Sequence, residues 1–578
     1  MPYRAPTSEI RFLLEHVVDY AQVAATDRFS DASFDTVDAI LTEAGKMCED
    51  ILAPLQRNGD LHPAVLENGV VRCSPGFAEG YAAIAEGGWV GMTADPDSGG
   101  MGLPTTIGST VNDMMSSACL SLQLAPLMSQ GQIEALEHHA SDEIKATYLP
   151  KLVSGAWLGT MNLTEPQAGS DVGALRTKAE PQGDGSYAIT GQKIYISWGD
   201  NDISENVCHL VLARLPDGVP GTKGISLFLV PKLLPDADGT LGQPNDLRVV
   251  SLEHKLGLHG SPTAVMEFSG ARGWLVGQPH DGMRCMFTMM NNARLGVGVQ
   301  GIGVAEAAYQ HALAYAQDRK QGRTPPQGDA AGGATAGKGP ILHHADVRRM
   351  LAAMRADTTA ARSIALSCAV ALDMGRATGD AAWQARGAFL TPITKSFGTE
   401  VGIEVAHQGV QVHGGMGFIE ETGAAQYLRD VRVTAIYEGT NGIQAMDLVG
   451  RKLMDGGEAA FALLDEIEAC AEAARSDLPD LAEPVWQASE TLREATEWMV
   501  AQEMTARFAG AVAFQRAFAR VLGGYFHLRA AMAARGHAQE RLARFYIQRL
   551  LPEHAGLLVQ ARAGDDGLYA ITADDLAA

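Results

Sequence analysis

Glu438 lies in TAIYEGTNGIQ, Thr434–Gln444, between Tyr437 and Gly439. A carboxylate in such a setting is either a solvated turn acid or a base held against a group that must lose a proton. Its neighbours do not decide between the two, so the rest of the chain must supply the other half of a reaction. Two other stretches carry polar groups at suggestive spacing. In MNLTEPQAGSDVGALRT, Met161–Thr177, the Thr164 hydroxyl, the bare backbone of Gly169 and the Ser170 hydroxyl fall within seven residues. That suits a loop donating hydrogen bonds to a flat polar ligand edge, and equally a loop whose Gly-Ser-Asp caps a following helix. In KIYISWG, Lys193–Gly199, strand alternation puts Tyr195 and Ser197 on one face.

The elements that must position these residues change character along the chain. From Glu9 to about Gly155 apolar residues recur at helical spacing, as in Ile10, Leu13, Leu14, Val17 and Val18. Near Trp157 the texture becomes short apolar or alternating runs broken by Gly, Pro and Asp: SYAITGQKIYIS, HLVLARL, GISLFLV, AVMEFSG. This is strand-and-turn chemistry. Helical periodicity returns at Gly282 and persists past residue 450, and a last helical block follows Gly456. Gly322–Pro340, rich in Gly and Ala and poor in large apolar groups, is expected to be a mobile loop.

With 578 residues, 46% of them apolar, the chain is too long for one core and is expected to form two to four packed domains. Its net charge of −23 disfavours nucleic acid and anionic membranes. Seven scattered cysteines without a CxxC are expected to be reduced thiols, which fits a cytoplasmic protein. The charged N-terminus does not resemble a secretory signal. The most apolar helical stretch, Val297–Ala316, is interrupted by Gln300, Glu306, Gln310 and His311, and is expected to be a buried helix that does not span a membrane. His138–His139 and His343–His344 lack ligand spacing, and no HExxH, Walker, GxSxG or post-strand GxGxxG motif appears, so no metal is expected.

Taken in order, LTEPQAGSD, KIYISWG, DRKQGR, QVHGGMGF, Arg429–Asp430 and IYEGTNGIQ resemble the acyl-CoA dehydrogenase family of flavoproteins over residues 40–450 or so. The resemblance implies an α+β multidomain protein with the acyl-CoA dehydrogenase fold. Its parts would be an N-terminal helical domain (1–159), a middle β-barrel-like domain (160–277), a C-terminal helical bundle carrying the catalytic Glu (278–455) and an additional helical domain (456–578). FAD and the acyl-CoA would lie between the middle domain and the bundle.

By resemblance, Met161, Leu163, Thr164, Gly169 and Ser170 contact the flavin, Tyr195, Ile196 and Ser197 run along its ring with Ser197 near N5, and Thr440 also binds the cofactor. Arg319, Gln411, Gly414 and Gly415 would reach the pyrophosphate and adenosine half of a neighbour's FAD, in a homodimer or a dimer of dimers. Ser170, Asn291, Arg294, Glu438 and Gly439 would meet the substrate. Glu438 would remove the α-proton while a hydride leaves the β-carbon, burial raising its pKa toward the working pH. Its backbone N–H would hold the thioester oxygen. Some relatives place the base just before the arginine of FTMMNNAR, and Ala293 stands there in this chain.

The chain departs from the family pattern at Tyr195, where many members have Trp, at Gln321–Gly322, and at Gly442. The extra block and the opening YRAPTSEIRFLLEHV are similar to the subfamily that converts 3-(methylthio)propanoyl-CoA to 3-(methylthio)acryloyl-CoA. Met286, Met289 and Met290 would either line a sulfur-friendly pocket or be plain core. An electron-transferring flavoprotein is the implied electron acceptor. The alternatives are a dehydrogenase or oxidase for another short or branched acyl-CoA, or a DNA-associated alkylation-response flavoprotein, which the net charge disfavours.

Overall fold

In the computed structural model, residues 3–236, 238–323 and 339–578 are described; the expected mobile loop, apart from its ends, lies outside them. The chain runs from helices into a seven-stranded sheet and back into helices. It divides into two compact units, residues 3–5 with 39–296 and residues 6–38 with 297–578.

In the first unit the long helix α1 (Thr105–His139) is buried over most of its length and changes direction at Cys119, whose φ of −156° and ψ of 90° are not helical. It packs on β1 (Trp157–Asn162), the first strand of the sheet. The others are β2 (Lys178–Pro181), β3 (Tyr187–Ser197), β4 (Asn206–Arg214), β5 (Ile225–Pro231), β6 (Leu247–Leu252) and β7 (Thr263–Val276). The order is β6-β7-β3-β2-β4-β1, with β5 paired to both β4 and β7. Five strands, β7-β3-β2-β4-β5, therefore close on themselves around a core that includes Ile189, Val211, Phe228, Met266 and Phe268. The continuous apolar runs of β4 and β5 follow from burial on both faces.

The second unit is built on α2 (Gly282–Asp318, from Val297 onward), α3 (Ala345–Thr378) and α4 (Ala381–His413). Helices α2 and α4 touch backbone to backbone: a Cβ on Gly301 would lie 2.3 Å from the Gly398 carbonyl oxygen, and one on Gly402 would lie 2.6 Å from that of Gly301. Only glycine permits that approach. At the N-terminus, Glu9 accepts from Arg355 and Arg362, which also hold the buried Glu306. After α4 the chain makes short turns and enters α5 (Asn441–Asp447). A final set follows: α6 (Glu458–Ala474), α7 (Pro479–Ala501), α8 (Met504–Ala533), α9 (Ala538–Arg549) and α10 (Glu553–Arg562). The 30-residue α8 is its axis, packed by α7, α9 and α10 and resting on α3, α4 and α5.

Candidate active site

In the first unit, the loop after β1 is fixed from beneath by a buried ion pair. Lys193 Nζ, inaccessible to solvent, donates to Glu165 Oε1 at 2.8 Å and to the Leu163 carbonyl at 3.0 Å. Glu165 also accepts from Thr177 Oγ1 and N, from Arg176 N and from Gln167 Nε2. Burial by itself would raise the Glu165 pKa, but Lys193 and these donors bring it down to about 2. Burial pushes Lys193 down to about 8 against the pull of Glu165.

On this anchored loop Met161, Leu163 and Thr164 are half-buried, and Gly169 and Ser170 are exposed. No atom lies within 4 Å of where a Gly169 Cβ would stand. The capping alternative for the stretch is observed: Asp171 accepts from Gly173 N at 3.0 Å and caps the short turn 172–174. A cavity of about 690 Å³ beside it is lined by Gly173, Arg176, Lys178, Arg214 and Pro220, among others. The Arg214 guanidinium is engaged by the carbonyls of Gly173, Leu175, Val219 and Gly221.

The end of β3 does not alternate strictly. Lys193 pairs with Met266 and Ile196 with Ala264, so Ile194 and Tyr195 together face Val265 in a bulge. Tyr195 takes a φ of 61° and is 61% exposed, an unusual conformation for a tyrosine. Ser197 is half-buried, while Ile196 packs its side chain into the sheet core and offers a ligand only its backbone. Trp198, also at positive φ, is buried and donates to the Ser121 carbonyl at 3.2 Å, fixing the strand end. Further on, Asn291 is exposed and Arg294 is buried, its Nη1 3.4 Å from Asn291 Oδ1. Ala293, Met286 and Met289 are buried, and Met289 packs on Gly131, so Met286 and Met289 read as core.

In the second unit, Glu438 is half-buried with a φ of 56°, and Gly439 follows at 81°. Two consecutive left-handed residues make a tight corner that the surroundings must impose. Tyr437 is clamped by a short hydrogen bond to Gln300 of α2, and burial pushes its phenol pKa upward. The Gly439 carbonyl accepts from Lys395 Nζ at 2.9 Å, and Lys395 is fully buried in α4. Gln444 Nε2 donates to the carbonyls of Glu438 and Gly439 at 3.2 and 3.3 Å. Thr440 uses its oxygen to cap α5, accepting from Ile443 N, which leaves the hydroxyl hydrogen for another acceptor. Lys395, Gln300 and Gln444 were not singled out from sequence as site residues. The signal available was a lone lysine within the apolar FLTPITKSFG and a glutamine within the apolar run of α2.

Arg319, Gln411, Gly414 and Gly415 are exposed in the same unit. No atom lies within 4 Å of a Cβ built on Gly414 or Gly415. Beneath them Tyr315 stacks on His413 at 4.4 Å, and past them Met416, Phe418 and Ile419 are exposed, Phe418 by 85%. Among the described residues no cluster could hold a metal ion, all seven cysteines are free, and no helix is long and apolar enough to cross a membrane.

Family models describe successive parts of the chain. The N-terminal domain of acyl-CoA dehydrogenase matches residues 38–156, its middle domain 160–271, and its C-terminal domain 280–331 and 328–454. An acetyl-CoA dehydrogenase C-terminal-like model matches 463–572. The chain is 49% identical over 473 residues to a 3-methylmercaptopropionyl-CoA dehydrogenase of Ruegeria pomeroyi, a match spanning 81% of this chain and 79% of that one. It is 35% identical to a butyryl-CoA dehydrogenase of Syntrophomonas wolfei, over 80% and 78% of the two chains. An acyl-CoA dehydrogenase from Bacillus anthracis, solved with FAD, shares the fold at a TM-score of 0.74 and 19% identity, over 97% of this chain and 92% of that one.

Proposed function

The chain belongs to the acyl-CoA dehydrogenase family, and on that premise we propose that it oxidises 3-(methylthio)propanoyl-CoA to 3-(methylthio)acryloyl-CoA, with Glu438 as the base. The observation that carries this reading is the 49% identity to a 3-methylmercaptopropionyl-CoA dehydrogenase along four-fifths of the chain. FAD is the cofactor. The residues fit it: the loop 161–170 is anchored from below while its outer face, with Thr164, Gly169 and Ser170, is left open, and Tyr195 presents a ring beside Ser197. When bound, FAD supplies the two-electron acceptor for the hydride that leaves the β-carbon.

The protein's own part is to bind, orient and remove a proton. Glu438 takes the α-proton onto its carboxylate, and its strained backbone is held by Lys395, Gln444 and the Tyr437–Gln300 clamp, so the base does not swing away. The Glu438 N–H supports the thioester oxygen as negative charge develops. Arg176 and Lys178, on the wall of the cavity that Gly173 also lines, suit the anionic nucleotide end of CoA. Asn291 and Arg294 shape the acyl end.

Arg319, Gln411, Gly414 and Gly415 would hold the FAD of a second copy in a homodimer, a reading supported by the exposed apolar Met416, Phe418 and Ile419 at the same place. An electron-transferring flavoprotein would reoxidise the enzyme, in the cytoplasm. The test is anaerobic absorbance at the flavin band during titration with a panel of acyl-CoAs that includes 3-(methylthio)propanoyl-CoA and butanoyl-CoA. Fastest bleaching by the thioether substrate supports the reading. Fastest bleaching by butanoyl-CoA reassigns the substrate, and a flavoprotein inert to every member refutes the reaction.

A further inference from the structure

The loop carrying Glu438 is tied to the last helical block by a series of polar contacts that the dehydrogenation chemistry does not itself require. Asn441, the first residue of α5, accepts from Lys395 Nζ at 3.0 Å, and its Nδ2 lies 3.0 Å from Thr399 Oγ1 and 3.3 Å from Glu400 Oε1. The other oxygen of Glu400 accepts from Arg516 Nη1 at 3.2 Å. That nitrogen also donates to Glu404 at 2.6 Å, and Arg516 Nε donates to Glu553 Oε1 at 2.9 Å. Arg516 stands on α8 and Glu553 begins α10, both in the last block, whereas Glu400 and Glu404 lie on α4. The contacts thus run Glu553, Arg516, Glu400, Asn441, Lys395, Gly439, ending one residue from Glu438.

Charge explains why Arg516 occupies the middle of this series. Glu400 and Glu404 are one helical turn apart and repel each other. Burial pushes the Glu400 pKa upward, and Arg516 pulls it back. Without the guanidinium, Glu400 would either take up a proton or turn toward solvent. Both outcomes weaken the acceptor facing Asn441, and Lys395 donates both to Asn441 and to the Gly439 carbonyl.

We propose that Arg516 is a positioning residue for the dehydrogenation, through which the last helical block fixes the loop bearing the base. This rests on Glu438 being that base. The block is also joined to the N-terminal segment by the ion pair of Arg529 with Asp19, and because the further partner of Arg529 is Tyr525 on its own helix, this pair lies apart from the series through Glu400 and supplies a control.

The test compares full-length holoenzyme, wild type and variants, by anaerobic stopped-flow bleaching with 3-(methylthio)propanoyl-CoA and by thermal unfolding. Arg516→Met is expected to slow flavin reduction at saturating substrate on the order of tenfold, with half-saturation moved by less than about twofold. Arg516→Lys should restore most of the rate, and Asp19→Asn, which breaks the pair with Arg529, should keep the wild-type rate. A wild-type rate in Arg516→Met, or an equal loss in Asp19→Asn, would overturn the proposal by reducing the block to general support. Should Arg516→Met fail to fold, Glu400→Gln decides: it preserves shape but not the charge facing Arg516, and a wild-type rate there also overturns it. A wild type bleached by no acyl-CoA would instead refute the proposed reaction on which the inference stands.

Discussion

Replacing Lys395 with methionine probes how the proposed base, Glu438, is held. The ammonium is fully buried and donates two hydrogen bonds, at 2.9 Å to the Gly439 carbonyl and at 3.0 Å to Asn441. Bonds from a charged donor contribute roughly 1.5–3 kcal/mol each. Their loss is partly offset because a buried ammonium costs several kcal/mol of desolvation. The net destabilisation is therefore about 1–3 kcal/mol, which in a chain of this size lowers Tm by less than about 10 °C. The kinetic effect should be larger in proportion. The Gly439 carbonyl keeps the Gln444 amide at 3.3 Å, and it must shift toward that amide or toward water, carrying Glu438 with it. A misplacement of about 1 Å at a reacting group costs on the order of 100-fold in rate. Stopped-flow flavin reduction should thus fall by that order at saturating substrate, with KM little changed because the CoA contacts are untouched. A variant with lowered Tm whose reduction rate stays within about threefold of wild type would refute the reasoning, since the loop would then be positioned without Lys395.

Glu438→Gln should keep FAD and fold yet abolish bleaching by substrate, and turnover at the wild-type rate would remove Glu438 from the role of base. The ion pair under the loop 161–170 should be acid-sensitive. Glu165 has a folded pKa near 2, below its ordinary value of 4.5, so its stabilising contribution is fully present above pH 4.5 and is lost as pH falls toward 2. In urea unfolding, the stability gap between wild type and Glu165→Gln should accordingly shrink from pH 7 to pH 3, and a pH-independent gap would contradict the assignment. Arg319→Ala should weaken FAD retention, read as flavin-to-protein absorbance after dialysis, and full occupancy would count against its place on the cofactor.

The fold class was legible because periodicity is local. Apolar spacing changes from helical to alternating near Trp157 and back near Gly282, and the strands from Trp157 to Val276 occupy that interval. The family was legible because motifs such as LTEPQAGSD and IYEGTNGIQ keep residue type and order together, and the family models match accordingly. Alternation also put Tyr195 and Ser197 near one another, but a period-two pattern contains no bulge, and the positive φ of Tyr195 arises from pairing with β7.

The sequence alone determined which residue types stand beside Glu438: a tyrosine before it, a glycine after it, and no competing carboxylate at Ala293. Only the tertiary structure decided what holds that glutamate in place. Lys395 precedes Gly439 by 44 residues, Gln300 precedes Tyr437 by 137, and Glu400 meets Arg516 across 116. Such partners leave no mark on local periodicity, because they meet only when helices close on one another, as α2 and α4 do where Gly301 and Gly398 bring their backbones into contact.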